Sequence, residues 1–516
     1  MSRQYTLQMF VRKKPNKSGS VSVQIIDKSD GKYRVVETLG SSKDPETIEA
    51  LCREAYRRIP HHSHQSTFSF LSATDEAILD FAKNLHNDHL SAVGGEMVFG
   101  TLFDAMGFGA IKDRMFRHLV ISRIIYRGSK LKLTHYLRRY EHKEISVYAI
   151  YRFLDKLHDR YKETIERIAF EHTRKILGTI HVVFYDMTTL YFEAEDEDDF
   201  RKVGFSKDGK FQNPQILLGL LVGEKGYPIG YELFEGNTFE GHTLIPVLEA
   251  FEKKFDLKRP IVVADSGLLS RSNLEALEAK GYGYILGARI KKETEAMSQQ
   301  ILAWNLERDG EYRELVREDG SRLIVSYSAK RAKKDAYNRK RGLKRLKKKI
   351  KSGTLSKKHI NARGYNKYLK LKNKVEVEID YEKFEADGAW DGLKGYITNT
   401  DLNPETVIEN YANLWQIEKA FRMNKSDLRI RPVYHRVRRR IEAHIAISFV
   451  AYAIYKELER LLYKHHAPFG VATAREIVQT IYQLRIRLPD SGVEEKILLN
   501  MNEEQRLLLE IVNLET

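Results

Sequence analysis

Hydrophobic and polar positions change rhythm several times along this chain, and each change predicts a different element. Near the start Val21, Val23 and Ile25 alternate with polar residues, Asp30-Gly31 is read as a hairpin turn, and Tyr33 and Val35 resume the alternation. A period of two predicts a β-hairpin with one buried face. A helical pattern from residue 45 to about 59 completes a small ββα module. Residues 72–177 read as mostly helical, with short helices at 131–140 and 145–157, the second capped by Ser146. Arg138, Arg139, His142, Lys143 and Arg152 decorate that pair, so a helix-turn-helix and ordinary helical packing both stay open.

From residue 181 the pattern shortens. HVVFYD and RPIVVAD are apolar runs ending in acids, predicting buried strands. ILLGLLVGEKGYPIGYELFEG reads as two strands around a turn at 224–226, and Leu244, Val247, Leu248 and Phe251 share one face of a helix over 244–255. A helix at 274–279 and a strand in YGYILGARI follow. An insertion begins near residue 291. It holds a hairpin turning at Asp319-Gly320, then two basic helices separated by Ser352-Gly353. VEVEIDYEKFEAD and GLKGYITNT read as strands, residues 404–428 as one long helix, and residues 436–516 as helical with the buried stretch IAISFVAYAIY.

Composition narrows the class. The chain has 516 residues, 42% of them hydrophobic, which suffices for several cored domains. A single cysteine, Cys52, excludes an intrachain disulfide framework and a cysteine zinc site, and suits a reducing compartment. The start lacks a secretory apolar core and no run reaches about twenty apolar residues, so neither export nor a membrane span is expected. Net charge is +16, yet residues 329–374 alone carry 20 Lys and Arg against one acid, Asp335. The excess is therefore local, as expected of a surface that faces a polyanion through its phosphates.

Asp186 and Asp265 each follow an apolar strand. Parallel strands would deliver both to one edge of an α/β sheet, where such sheets hold their sites. On an unbroken helix Tyr411, Trp415, Glu418, Arg422 and Lys425 fall within an arc of roughly 80°, adding a third carboxylate flanked by cations. Three carboxylates from distant positions suit a pair of divalent ions acting on a phosphodiester.

The blocks YDMTTLYFE, VVADSGLLS and YANLWQIEKAFRMNKSDL resemble the active-site blocks of bacterial insertion-sequence transposases with a DDE triad. The particular group is the insertion-sequence-four superfamily, with its YREK signature, and the resemblance covers about 181–435. It implies an α/β fold with a ribonuclease-H-like core, a mixed five-stranded sheet with flanking helices, interrupted by a β-plus-helical-hairpin insertion. Asp186, Asp265 and Glu418 would be the catalytic, metal-binding triad for two Mg2+ ions, with Mn2+ able to substitute. Tyr411 and Lys425 would contact DNA. The signature's Arg position holds Leu414, and Arg422, on the same helical face, is the candidate to take over its contact. Lys344, Arg345 and Lys348 of the basic block and Arg138 and Arg139 are further DNA-binding candidates; Trp390 and Trp304 are candidates for stacking an extruded base.

The expected organisation is a β-rich module at 1–65, a helical DNA-end-binding domain at 66–178, a catalytic core at 179–290 plus 391–435, the insertion at 291–390, and a helical region at 436–516. The implied activity is cut-and-paste transposition: cleavage at terminal inverted repeats, a hairpin intermediate and strand transfer into target DNA, by a homodimer on paired ends in the bacterial cytoplasm. Two rivals remain, a structure-selective nuclease of the same fold and a catalytically silent, transposase-derived DNA-binding protein.

Overall fold

The computed structural model of the chain describes residues 9–28, 31–62, 72–207, 209–255, 259–268, 270–355, 357–361, 364–372, 376–488 and 491–514. Asp30 of the first hairpin turn, Leu269 of the second acidic block and Lys374 at the end of the basic block lie outside them. The chain divides into two compact units, Met1–His86 and Asn87–Thr516.

In the first unit β1 (Met9–Pro15), β2 (Val21–Asp27) and β3 (Arg34–Ser42) form an antiparallel sheet in that order. Helix α1 (Pro45–His62) buries Cys52 and Ala55 against Val23 and Ile25. The module thus has three strands where the alternation predicted two. Val11 pairs with Ile25, but it is followed by Arg12, Lys13 and Lys14, so β1 carries too few apolar positions to show a period. Helix α2 (Ala73–Lys83) starts at a capping box between Ser72 and Asp75.

The second unit opens with β4 (Leu90–Ala92), α3 (Thr101–Ala105), α4 (Arg114–Ile125), α5 (Lys130–Glu141), α6 (Val147–Arg160) and α7 (Lys162–Leu177). Ser129 and Ser146 cap α5 and α6 by accepting from Lys132 and Ala149. Next come β5 (Val182–Tyr191), β6 (Gln215–Val222), β7 (Pro228–Glu235), α8 (Leu244–Phe255), β8 (Ile261–Ala264), α9 (Arg271–Ala279) and β9 (Tyr284–Ala288). The insertion holds α10 (Glu295–Ala303), β10 (Tyr312–Val316), β11 (Arg322–Tyr327), α11 (Ala329–Lys351), β12 (Leu369–Leu371), β13 (Val377–Ile379) and α12 (Tyr381–Ala386). Strand β14 (Leu393–Thr398) leads to α13 (Pro404–Ala412) and α14 (Trp415–Arg422). The chain finishes with α15 (Arg438–Lys464), α16 (Val471–Val478), β15 (Tyr482–Arg487), β16 (Glu494–Leu498) and α17 (Glu503–Asn513).

The central sheet is mixed and has eight strands, ordered β10-β11-β14-β9-β8-β5-β6-β7, where five were expected. The five expected strands are contiguous within it. The other three extend the β9 edge, because the insertion's hairpin pairs with β14 and β14 pairs with β9. Strands β5, β8 and β9 run parallel to one another, and the remaining pairings are antiparallel. Alternate residues of β5 feed two cores: Phe184 and Leu190 face α14 and α15, and Val183, Tyr185 and Met187 face α8.

Three further expectations are corrected. The basic block forms one helix, α11, not a helical hairpin. Gly353 ends it at φ +66°, and residues 357–359 and 364–368 are short 3₁₀ turns whose Tyr368 packs on Leu346. The long helix over 404–428 breaks at Asn413–Leu414, where Leu414 N–H bonds back only to Tyr411, and its last turn, Met423–Asp427, widens to a π-helix. The tail is not all helical: β15 pairs with both β16 and β4. Its apolar stretch is buried as expected, from Ile441 to Tyr455, while no described helix is long and apolar enough to cross a membrane.

Candidate active site

Strand register brings the first two acids together. Tyr185 pairs with Ala264 at the end of the parallel β5–β8 ladder, so Asp186 and Asp265 are the next residues on neighbouring strands, with backbones about 5 Å apart. Asp186 does not end its strand as predicted, since β5 runs on to Tyr191 against β6. It is the one position from Val182 to Leu190 that is not fully buried. Asp265 begins the turn after β8, where its carboxylate accepts from the Gly267 N–H at 2.7 Å. By alternation both acids belong to the sheet face on which α14 packs.

Burial pushes the Asp186 carboxyl up to about 6, and the charges of Asp265 and Glu240 add to this; Lys207 and the Met187 N–H oppose it. The Lys207 ammonium stands 3.6 Å from Asp186 Oδ1 and 3.1 Å from Glu240 Oε1, and donates to the Met187 carbonyl at 2.7 Å. Burial lowers its pKa, but Asp186, Glu240 and Asp265 together raise it. One lysine therefore bridges Asp186 and Glu240 and feels the charge of Asp265. Neither Lys207 nor Glu240 was predicted. Glu240 stood in the EGNTFEGH stretch after a strand, a signal available in hindsight; Lys207 had none.

The third acid arrives on α14, which buries Ile417, Ala420 and Phe421 and packs over β5. This leaves Glu418 exposed beside the exposed Trp415 and Arg422, while Lys425 is half-buried. Because the helix breaks at residues 413–414, Tyr411 leaves the predicted shared face and is buried. Its ring lies 5.0 Å from that of Tyr396 and 4.2 Å from Lys394 Nζ. Burial raises the phenol's pKa, and the charges of Asp265 and Glu418 raise it further. Tyr411 thus links the second acid to the third. Glu418 also acts on Lys394, whose pKa burial lowers and Glu418 raises. Among the described residues, no three His, Cys, Asp or Glu side chains stand close enough together to hold a metal ion. The donors are nonetheless of the right kind: hard carboxylate oxygens that already gather a cation in Lys207.

The basic helix approaches this site by its first turn, since Arg331 acts electrostatically on Tyr411 and Lys394. Arg331, Lys394, Arg339 and Trp390 line a cavity of about 620 Å³ between the sheet and the insertion. Trp390, which lies under Lys291 Nζ at 5.9 Å, and Trp304, at the end of α10, are both half-buried and pack against the same core. Lys344, Arg345 and Lys348 are exposed along α11. Arg138 and Arg139 are exposed on the last turn of α5, and among the described residues no interaction joins them to the acids.

A mixed sheet flanked by helices, with acids at neighbouring strand positions and cations around them, defines an α/β protein with a charged site on one face of its sheet. Over residues 178–454 the sequence matches the transposase DDE domain, and the chain belongs to that family, the DDE-type transposases. Similar solved structures include a piggyBac transposase synaptic complex with hairpin DNA, at 9% identity over 75% of this chain and 76% of that one, TM-score 0.38. They also include the Mos1 mariner paired-end complex with Mn, at 14% identity over 30% of this chain and 54% of that one, TM-score 0.15. Comparison with curated proteins finds no match.

Proposed function

We propose that the chain is a metal-dependent DNA transposase of the insertion-sequence-four group, working on a ribonuclease-H-like core with Asp186, Asp265 and Glu418 as its catalytic triad. The observation that carries this reading is the register of β5 and β8, which sets Asp186 and Asp265 side by side beneath the helix that bears Glu418. Two divalent ions, Mg2+ with Mn2+ able to substitute, would activate the attacking oxygen and relieve charge on the leaving one. The three acids would hold them, with Lys207 yielding its place among the carboxylates. Tyr411, whose phenol feels the charges of Asp265 and Glu418, would contact the DNA, and Arg422 and Lys425 on the following turns would hold the strand being cut.

The substrate is double-stranded DNA. Hydrolysis at the end of the element frees a 3′-hydroxyl, which then attacks the complementary strand to give a hairpin, or the target strand to join it. Exposed cations of α11 grip backbone phosphates and set position, not sequence. Trp390, in the cavity lined by Arg331, Arg339 and Lys394, is the better suited to stack a displaced base, and Trp304 lies outside that lining. The domain boundaries at 65, 178, 290, 390 and 435, end-binding by residues 66–178 and a homodimer on paired ends in a bacterial cell belong to the same reading.

The test is cleavage and joining of end-bearing DNA with Mg2+, repeated with Glu418→Gln. Loss of both activities by at least roughly a hundredfold, about 2.7 kcal/mol of barrier, with DNA binding intact supports the triad. Cleavage without joining in the parent protein favours a nuclease, and binding without either favours a silent DNA-binding protein.

A further inference from the structure

A second basic cavity, of about 590 Å³, opens where α4 and α5 meet the segment that follows α14. Its lining holds six Lys or Arg, two His and no acid. Two of the cations are deeply buried: Arg123 and Lys130 are each 7% exposed. Among the described residues Arg123 bonds to neutral partners, His444 Nδ1 at 3.2 Å and the Arg429 carbonyl at 3.5 Å. Among the described residues Lys130 has no ion-pair partner. Burial lowers its pKa and the charge of Arg123 lowers it further, with no carboxylate in opposition. The nearby Asp155 is already taken by Arg439 and Arg440, each at 2.8 Å.

Buried like charges without a counterion are costly, and a cavity that keeps them is built to receive an anion. The N-terminus of α5, capped by Ser129, lines the same space and adds the positive end of its helix dipole. The rings of His435 and His444 lie 5.4 Å apart, tilted by 57°, on its wall; burial and the surrounding cations hold His435 down to about 3. Arg431, on the rim, lies 5.7 Å from the ring of Tyr191. Tyr191 is five residues along β5 from Asp186, roughly 17 Å at the usual rise per residue.

We propose that this cavity, centred on Lys130 and Arg123, is a binding site for one backbone phosphate of the DNA strand that runs on from the scissile bond. It rests on the reading of the chain as a DNA transposase and adds to it a fixed anchor away from the triad. A polynucleotide is favoured over a free anion because the rim is continuous with the acid-bearing strand. At about 3.4 Å of duplex axis per phosphate on one strand, Tyr191 beside the rim falls some five nucleotides from the cut, and the anchored phosphate is expected close to that position.

Two measurements test it. The melting temperature is followed in sodium phosphate and in sodium chloride of equal ionic strength. The wild type is expected to rise with the logarithm of phosphate concentration. Lys130→Met, which removes a buried repulsion, is expected to melt higher in chloride and to lose the phosphate response. Lys132→Gln, at an exposed rim position that cannot unfold the chain, is expected to weaken that response at least threefold. End DNA carrying one neutral methylphosphonate at successive positions is then bound by each protein. A single sensitive position, about five nucleotides from the cut in the wild type and absent in Lys130→Met, identifies the strand phosphate. A phosphate response without such a position overturns the strand assignment in favour of a free anion. No phosphate response, or one unchanged in both variants, overturns the site. Neither outcome touches the Glu418→Gln test, so the two readings fail separately.

Discussion

Tyr411 reaches under the acids because residue 287 is glycine. A Cβ there would stand 2.4 Å from the phenol oxygen and 3.2 Å from the Ser266 N–H. Gly287→Ala is therefore expected to displace the tyrosine, costing about 1–3 kcal/mol of stability and lowering cleavage more than DNA binding, as chemical denaturation and a kinetic assay would read. Glu457 makes a prediction for pH. Burial raises its carboxyl, but hydrogen bonds from His172 and Arg460 outweigh this and hold it at about 2. Because the folded value lies below the ordinary one of 4.5, its contribution is complete above that value and lost as pH falls toward 2, a few kcal/mol in all. Glu457→Gln should flatten the acid limb of the stability curve over that window. At this scale Asp186 and Asp265 were legible, since each ends or interrupts an apolar run. Lys207 and Glu240 were not, because they come from loops and meet the acids only through the packing of β7 and β5. The burial of Tyr411 was not legible either, because it depends on the break at Asn413–Leu414.

Among the elements, those with one apolar stripe came through intact: the helix predicted over 244–255 is α8, Leu244–Phe255. Errors arose where the same stripe runs through a break. Apolar residues keep helical spacing across Asn413–Leu414, so nothing in the pattern announces that α13 packs on β8 and β9 while α14 turns toward β5. The second half of the basic block has charge without a stripe. It needed tertiary contacts, Tyr368 on Leu346 and Phe384, to choose turns over a helix. Helix α11 itself buries only Gly342 and Leu346; Arg331 and Arg339 pair with Asp335 and Asp391, while Lys344, Arg345 and Lys348 are exposed where a duplex can reach them. Replacing Lys344, Arg345 and Lys348 with Gln should weaken DNA binding alike for all sequences, with melting unchanged. The salt slope should fall by about 0.9 for each phosphate that is no longer neutralised. Binding titrated at several salt concentrations checks this.

At the scale of the molecule the two units have separate cores, one around Val23 and Ile25, the others built on the eight-stranded sheet. A chain starting at Asn87 should therefore fold and melt with the same midpoint as the larger unit of the whole protein, which calorimetry on both would show. The α/β class was legible from the short apolar runs. The width of the sheet was not, because strand count in sequence does not say which hairpins join which edge. That joining has its own consequence. Leu323 and Val325 point to one core and Ile324 to the other, so deleting one residue from β11 would exchange the two faces and swing α11 away from Arg331's position over Tyr411. Length variation across natural versions of this protein should thus collect beyond Gly353, where α11 has ended, and spare the stretch from 311 to 351, where the cations keep step with the acids.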